Sequence, residues 1–188
     1  MRQPAKTQFN GKAARYLAVS SLALTLCLLS LMLFRGVLSL LQALIIPILI
    51  VLLAASQPWI YTFAAGLSLL VLTLVFFPTQ VVFMAVYFMM AIFLWGLVSL
   101  MKSKSRKRWL LFIPYVILNS LLLFFGLRMT DFVFQIPLHA MMLRLSGDDS
   151  LRYAAIMSLE AAFISGLHLL VIFFVRRRQT KITERIVD

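Results

Sequence analysis

The stretch that decides the fold is VVFMAVYFMMAIFLWGLVSL at residues 81–100, with MKSKSRKR following it at 101–108. The first twenty residues carry no charge. A helix rises about 1.5 Å per residue and a bilayer's hydrocarbon core is about 30 Å thick, so about twenty apolar residues cross it. The residues just beyond carry five cations, Lys102, Lys104, Arg106, Lys107 and Arg108. An apolar span stopped by a basic loop is the pattern of a membrane helix ending on the cytoplasmic side.

Working outward, the same reading yields spans at 16–34, 37–55, 59–77, 81–101, 109–127 and 151–175. Arg35-Gly36 separates the first two spans as a tight hairpin. Ser56-Gln57-Pro58 and Pro78-Thr79-Gln80 separate the next ones, because proline breaks a helix and biases the preceding residue away from it. Pro47 and Pro114 fall inside spans and are expected to kink them. The whole composition agrees with this reading. Of 188 residues, 63% are hydrophobic and only 13% charged, against about 45–50% and 25% in soluble domains. An ordinary soluble enzyme, a disordered tail and a disulfide scaffold are all excluded. The lone Cys27 has no partner for an internal disulfide and completes no metal motif.

Charge sets the orientation. Residues 1–15, the 102–108 loop and the 176–188 tail hold 14 of the 18 Lys and Arg. The other side holds Arg35, Arg128, Arg144 and Arg152. Six spans place every dense basic cluster, and both termini, in the cytoplasm of a cell (inner) membrane. The net charge of +12 is thus a topology signal, and no nucleic-acid partner is expected. The first span is too long for a signal peptide and is expected to be retained. The expected architecture is all-α: an integral membrane bundle of six transmembrane helices over 16–175, between a basic N-terminus at 1–15 and a basic tail at 176–188. No domain boundary is read within it. The tail is expected to continue the last helix.

The connection between the fifth and sixth spans, 128–150, is the longest. Pro137 suits a first helical position. Leu138, Met141, Met142 and Leu145 then fall on one helical face, with His139 and Arg144 off it. Gly147 is a natural stop. We read 137–146 as a short extracytoplasmic interfacial helix. It is either a packing element or a lid, with Pro137 and Met141 as the gating residues. Asp148-Asp149-Ser150 offers capping oxygens for the helix that follows.

The last span holds the most information. Ala154, Ser158, Ala162 and Gly166 recur every fourth residue, a spacing that lets helices approach closely in lipid. They serve internal packing or a partner's helix. Glu160 is the one acid read inside a span, where a charge is costly and marks either function or a structural ion pair. Arg128, Arg152 and Arg35 are its candidate partners. Tyr153, Met157 and Ile164 share its face, with His168 roughly two turns on. The other polar residues at membrane depth are Gln42, Asn119, Thr73 and Ser68; the amides of Gln42 and Asn119 either bind a ligand or glue helices. With Glu160 and Tyr153, they form the expected ligand set.

Motifs for chemistry are sparse. No phosphate-binding glycine loop or Walker lysine is present, His139 and His168 lie far apart with no Cys pair, and Ser165 and His168 lack an activated-serine motif around them. No metal site, no cofactor and no enzymatic activity are expected.

The arrangement resembles the substrate-binding S components of energy-coupling-factor transporters, and more closely the YybS-type bacterial membrane proteins. The resemblance covers roughly residues 12–128. It rests on six spans with basic cytoplasmic ends and on Leu44-Ile45-Ile46-Pro47-Ile48 leading into the turn at 56–59. It rests also on the 81–100 segment ending in its basic loop. S components carry an Ala-x-x-x-Ala motif on their first helix that docks on a transmembrane coupling subunit, and Ala14-Arg15-Tyr16-Leu17-Ala18 fits that pattern. The resemblance implies a small-molecule binding or transport subunit working with ATPase-coupled membrane partners. The alternatives are a non-transporting scaffold like the MreD cell-envelope proteins and, more remotely, an intramembrane enzyme acting on lipids.

Overall fold

The computed structural model describes residues 5–33, 39–100 and 112–187. Side chains are described within 11–33, 41–100 and 112–174. The Arg35-Gly36 hairpin, the 102–108 loop and the start of the fifth span at 109 lie outside the described residues. So do the side chains of the basic tail.

The architecture is all-α, with no strand among the described residues. Among the described residues seven helices run in order: α1 (Ala5–Leu33), α2 (Ser39–Ser56), α3 (Trp59–Phe76), α4 (Val81–Leu100), α5 (Phe112–Phe134), α6 (Leu138–Leu145) and α7 (Ser150–Val187). A 3-10 turn at Pro78–Gln80 leads into α4. Among the described residues five stretches are long and apolar enough to cross a membrane: Gly11–Leu33, Trp59–Phe76, Pro78–Leu100, Phe112–Phe134 and Ser150–Phe174. Leu41–Ser56 of α2 is apolar but shorter. The protein is a multi-pass membrane bundle.

On α3 and α5 one stripe is buried and the rest of the surface is largely apolar. On α3 the buried residues are Thr62, Ala65, Gly66, Leu69 and Thr73. On α5 they are Tyr115, Asn119, Leu123, Gly126 and Thr130. The opposite face of α5 exposes Ile113, Ile117, Leu121 and Phe125. A helix that is apolar all round needs either a core or a hydrocarbon solvent, and here the exposed faces fit lipid. Thr73 and Thr130 turn their hydroxyls onto the carbonyl oxygens of Leu69 (2.7 Å) and Gly126 (2.8 Å). That leaves neither hydroxyl unsatisfied.

The chain forms two compact units that meet inside α4, one ending at Ala91 and the other starting at Ile92. In the first, α1 packs on α2 and α3. Gln57, in the turn between α2 and α3, ties these elements together. With its amide oriented so that nitrogen faces acceptors and oxygen faces donors, Nε2 donates to the Tyr16 carbonyl oxygen (3.2 Å), while Oε1 accepts from the Thr62 backbone N–H (3.3 Å) and from Ser20 Oγ (3.0 Å). Tyr16 and Tyr61 pack their rings 5.2 Å apart beside it. At Gly66 a Cβ would overlap the Phe88 ring, so this close approach of α3 and α4 depends on glycine.

In the second unit α5 packs antiparallel along α7, and α6 rests on both. Three details differ from the sequence reading. First, α5 does not stop near 127 but runs to Phe134, so Arg128 and Asp131 sit on a helix rather than in a loop. Asp131 is therefore a second acid within a span-length helix, besides Glu160. Second, α6 begins one residue later than expected: Pro137 occupies the cap position and Leu138 the first turn. Third, α6 ends at Leu145, one residue before the expected 146; of the two prolines read inside spans, Pro47 lies inside α2 and Pro114 within the described part of α5. At the ends of the chain, α1 already includes Ala5 to Arg15, and α7 continues as helix through the tail to Val187.

Candidate functional site

The second unit encloses a groove of about 390 Å³ between α5, α6 and α7. Its walls follow from helix periodicity. Ser120, Phe124 and Arg128 are spaced four apart on α5, His139 and Leu143 four apart on α6, and Ser150, Ala154 and Ser158 four apart on α7. Tyr153 and Met157 form its inner side on α7, and both are buried.

Asp131 positions α6. Both carboxylate oxygens accept from the His139 backbone N–H, at 3.2 and 3.1 Å. A helix start leaves its first N–H groups unpaired, and an acid there satisfies them and favours the dipole. Gln135, with φ of 55°, turns the chain between α5 and α6. At its other end α6 closes in a Schellman arrangement: Gly147 N–H donates to Arg144 O (2.9 Å) and Asp148 N–H to Leu143 O (3.0 Å). Gly147 has φ of 77°, the conformation glycine favours. Asp149 then caps α7, its Oδ1 accepting from the Leu151 (2.8 Å) and Arg152 (3.3 Å) N–H groups. Its Oδ2 also lies 3.4 Å from Arg152 Nε.

With α6 held this way, His139 enters an aromatic cluster. Its ring lies 5.7 Å from Phe124 and 5.1 Å from Tyr153, edge-on to both, and Phe124 and Tyr153 are 6.3 Å apart. Edge-to-face geometry at these distances is favourable for aromatic rings. The Arg128 guanidinium sits 5.5 Å from the Phe124 ring centroid, within cation–π range. Among the described residues Arg128 has no carboxylate at ion-pair distance. The buried Tyr153 hydroxyl has no hydrogen-bond partner among them either. Further along the α5–α7 seam, Tyr115 Oη and His168 Nδ1 are 2.9 Å apart, and Asn119 Nδ2 donates to Ser165 Oγ at 2.8 Å.

The expected ligand residues are thus dispersed. Tyr153 lines the groove. Asn119 is fully buried in the seam and spends its amide on Ser165. Glu160 is half-buried on α7, outside the groove lining, and no described cation lies within ion-pair distance of it. Gln42 is buried in α2, in the other unit. Of the expected gating pair, Pro137 and Met141 are exposed on α6, while His139 and Leu143 are the α6 residues that face the groove. The small-residue stripe divides. Ala154 and Ser158 are exposed and form a groove wall, whereas Ala162 and Gly166 are half-buried. A Cβ at Gly166 would meet nothing within 4 Å, so no helix among the described residues uses that glycine for a close approach. Ala14 and Ala18 are exposed on α1.

The sequence reading missed Arg128, His139, Phe124 and Asp131 as members of one site. Continuing α5 past residue 127 would have shown Ser120, Phe124 and Arg128 on one stripe.

No protein-family model, curated protein or solved structure matches this chain.

Proposed function

We propose that this protein is a six-span membrane subunit that binds a small molecule in the α5–α6–α7 groove and acts with partner membrane subunits. α2 serves as the sixth crossing in this reading. The plan is that of the energy-coupling-factor S components and YybS-type proteins. The observation that carries the reading is the groove itself: a volume of about 390 Å³ with an unpaired guanidinium, an imidazole and an unpartnered Tyr153 hydroxyl on otherwise apolar walls. Ligand sites are mostly apolar concavities of about 300–1,000 Å³ with a few converging polar groups.

With both termini in the cytoplasm, the groove opens toward the outer surface, and α6 covers its mouth. The sequence supplies no nucleotide-binding motif, so an ATPase partner or an ion gradient provides the energy, and the chain itself performs no enzymatic step. The exposed Ala14 and Ala18 on α1 are the face offered to a coupling subunit.

Filling the groove tests the binding role. Ala154→Trp, at an exposed wall position, abolishes the thermal stabilisation that extracted membrane small molecules give the wild-type protein. A wild-type protein that gains nothing from any such fraction overturns the reading. The exposed Ala154 and Ser158 favour one rival, a scaffold that lays a partner helix along this wall. In that case co-purification brings down envelope-assembly proteins rather than an ATPase-coupled subunit, and Ala154→Trp releases them.

A further inference from the structure

Taking the groove as the binding site, we infer that its ligand is an amphiphile with an anionic phosphate or carboxylate head. The head would lie between Arg128, His139 and Tyr153, and the apolar chain along Leu121, Ala154 and Met157. Three observations carry this.

The first is charge. Arg128 is the one formally charged residue in the lining. Of the acids near this end of the groove, Asp131 accepts from the α6 backbone, and Asp149 accepts from the start of α7 and pairs with Arg152. A guanidinium matches the geometry of a carboxylate or phosphate, and anionic acceptors form its strongest hydrogen bonds. The second is the Tyr153 hydroxyl. It is buried, with 5% of the residue exposed, it has no partner among the described residues, and it belongs to a residue that lines the groove. A buried donor without an acceptor is costly, and an anionic oxygen is the acceptor that this end of the groove calls for. The third is depth. Arg128 lies six residues before the end of α5, and Ser158 eight residues into α7. At about 1.5 Å per residue the Arg128 end of the groove lies about 9 Å from the end of α5 and the Ser120 end about 21 Å from it, while the α7 wall reaches about 12 Å into that helix. Arg128 is then at the level where a lipid's head meets its chains, and the rest of the groove runs beside hydrocarbon. The inner part of the groove is walled by apolar or small side chains, which suits a hydrocarbon tail and not a fully hydrated solute.

The test uses the full chain in a neutral detergent, with native mass spectrometry to count bound probe. The probes are phosphatidylglycerol, phosphatidylcholine and inorganic phosphate. Phosphatidylglycerol should bind about tenfold more tightly than phosphatidylcholine. Arg128→Gln should erase that preference and Arg128→Lys should restore most of it. Tyr153→Phe, which keeps the ring, should weaken binding several-fold. Arg144→Gln, an equal loss of charge on exposed α6, should change nothing. The inference is overturned if Arg144→Gln weakens binding as much as Arg128→Gln, since a diffuse surface charge then explains the preference. It is also overturned if millimolar inorganic phosphate displaces the lipid, which makes the ligand a soluble anion. Phosphatidylcholine that binds as tightly as phosphatidylglycerol and is lost in Ala154→Trp overturns the anionic head while leaving the binding groove intact. If Ala154→Trp changes the binding of no probe, the groove and the inference fall together.

Discussion

The Tyr115 hydroxyl lies 2.9 Å from His168 Nδ1, and both side chains are buried. With the Asn119–Ser165 bond one turn further along α5, it fixes the register of α5 on α7 at the end away from the groove. Apolar burial gives helices no reason to associate in lipid, so such bonds carry a larger share of the specificity there.

Tyr115→Phe should therefore destabilise the second unit by about 1 kcal/mol. In a double-mutant cycle of Asn119→Leu with Ser165→Ala, the coupling should come to about 0.6–1.7 kcal/mol, the range for hydrogen bonds between membrane helices. Unfolding of the detergent-solubilised protein reads both.

At Gly66 a Cβ would overlap the Phe88 ring. Gly66→Leu should lower the unfolding midpoint more than any other single change on the buried stripe of α3. Because the obstacle is one ring, Phe88→Ala added to Gly66→Ala should recover part of the loss. Overpacking of this kind typically costs about 1–3 kcal/mol.

The Asp131 carboxylate holds the start of α6 through the His139 N–H. Asp131→Ala should cost about 1 kcal/mol, the usual worth of a capping interaction. It should also raise hydrogen exchange in Leu138–Leu145 selectively, leaving α7 protected. Uniform exchange across both helices would contradict the capping role.

Gln57 joins α1, the α2–α3 turn and α3 through three hydrogen bonds. Gln57→Leu keeps the bulk and removes them all, orphaning the Thr62 N–H and the Tyr16 carbonyl oxygen. The expected loss is about 1–3 kcal/mol, seen as earlier thermal unfolding. Ser20→Ala should cost less, because it removes only one of the three.

The apolar runs and their proline, glycine and basic interruptions made the helical membrane bundle readable from the sequence. Composition is a strong signal when the solvent is lipid. The end of α5 was harder to read. Arg128 and Asp131 look like loop residues in an apolar search, yet one lies over Phe124 and the other caps α6, so neither ends the helix. The site was harder still. Leu138, Met141, Met142 and Leu145 form the more apolar stripe of α6, but the Asp131 cap and the Gln135 turn rotate the helix so that His139 and Leu143 face inward. Rotation about a helix axis is set by such tertiary contacts, and periodicity alone does not supply it. The small-residue stripe on α7 was visible, but its spacing cannot tell a packed face from a groove wall. Ala154 and Ser158 form the wall, while the close approach occurs at Gly66 on another helix.

α7 is one uninterrupted helix from Ser150 to Val187, 38 residues and so about 57 Å long. Its first turns border the groove, and its last turns lie far beyond the bonds of Ser165 and His168 to α5. In the reading proposed above, a ligand in the groove therefore touches the first turns of the same unbroken helix whose last turns lie furthest from it.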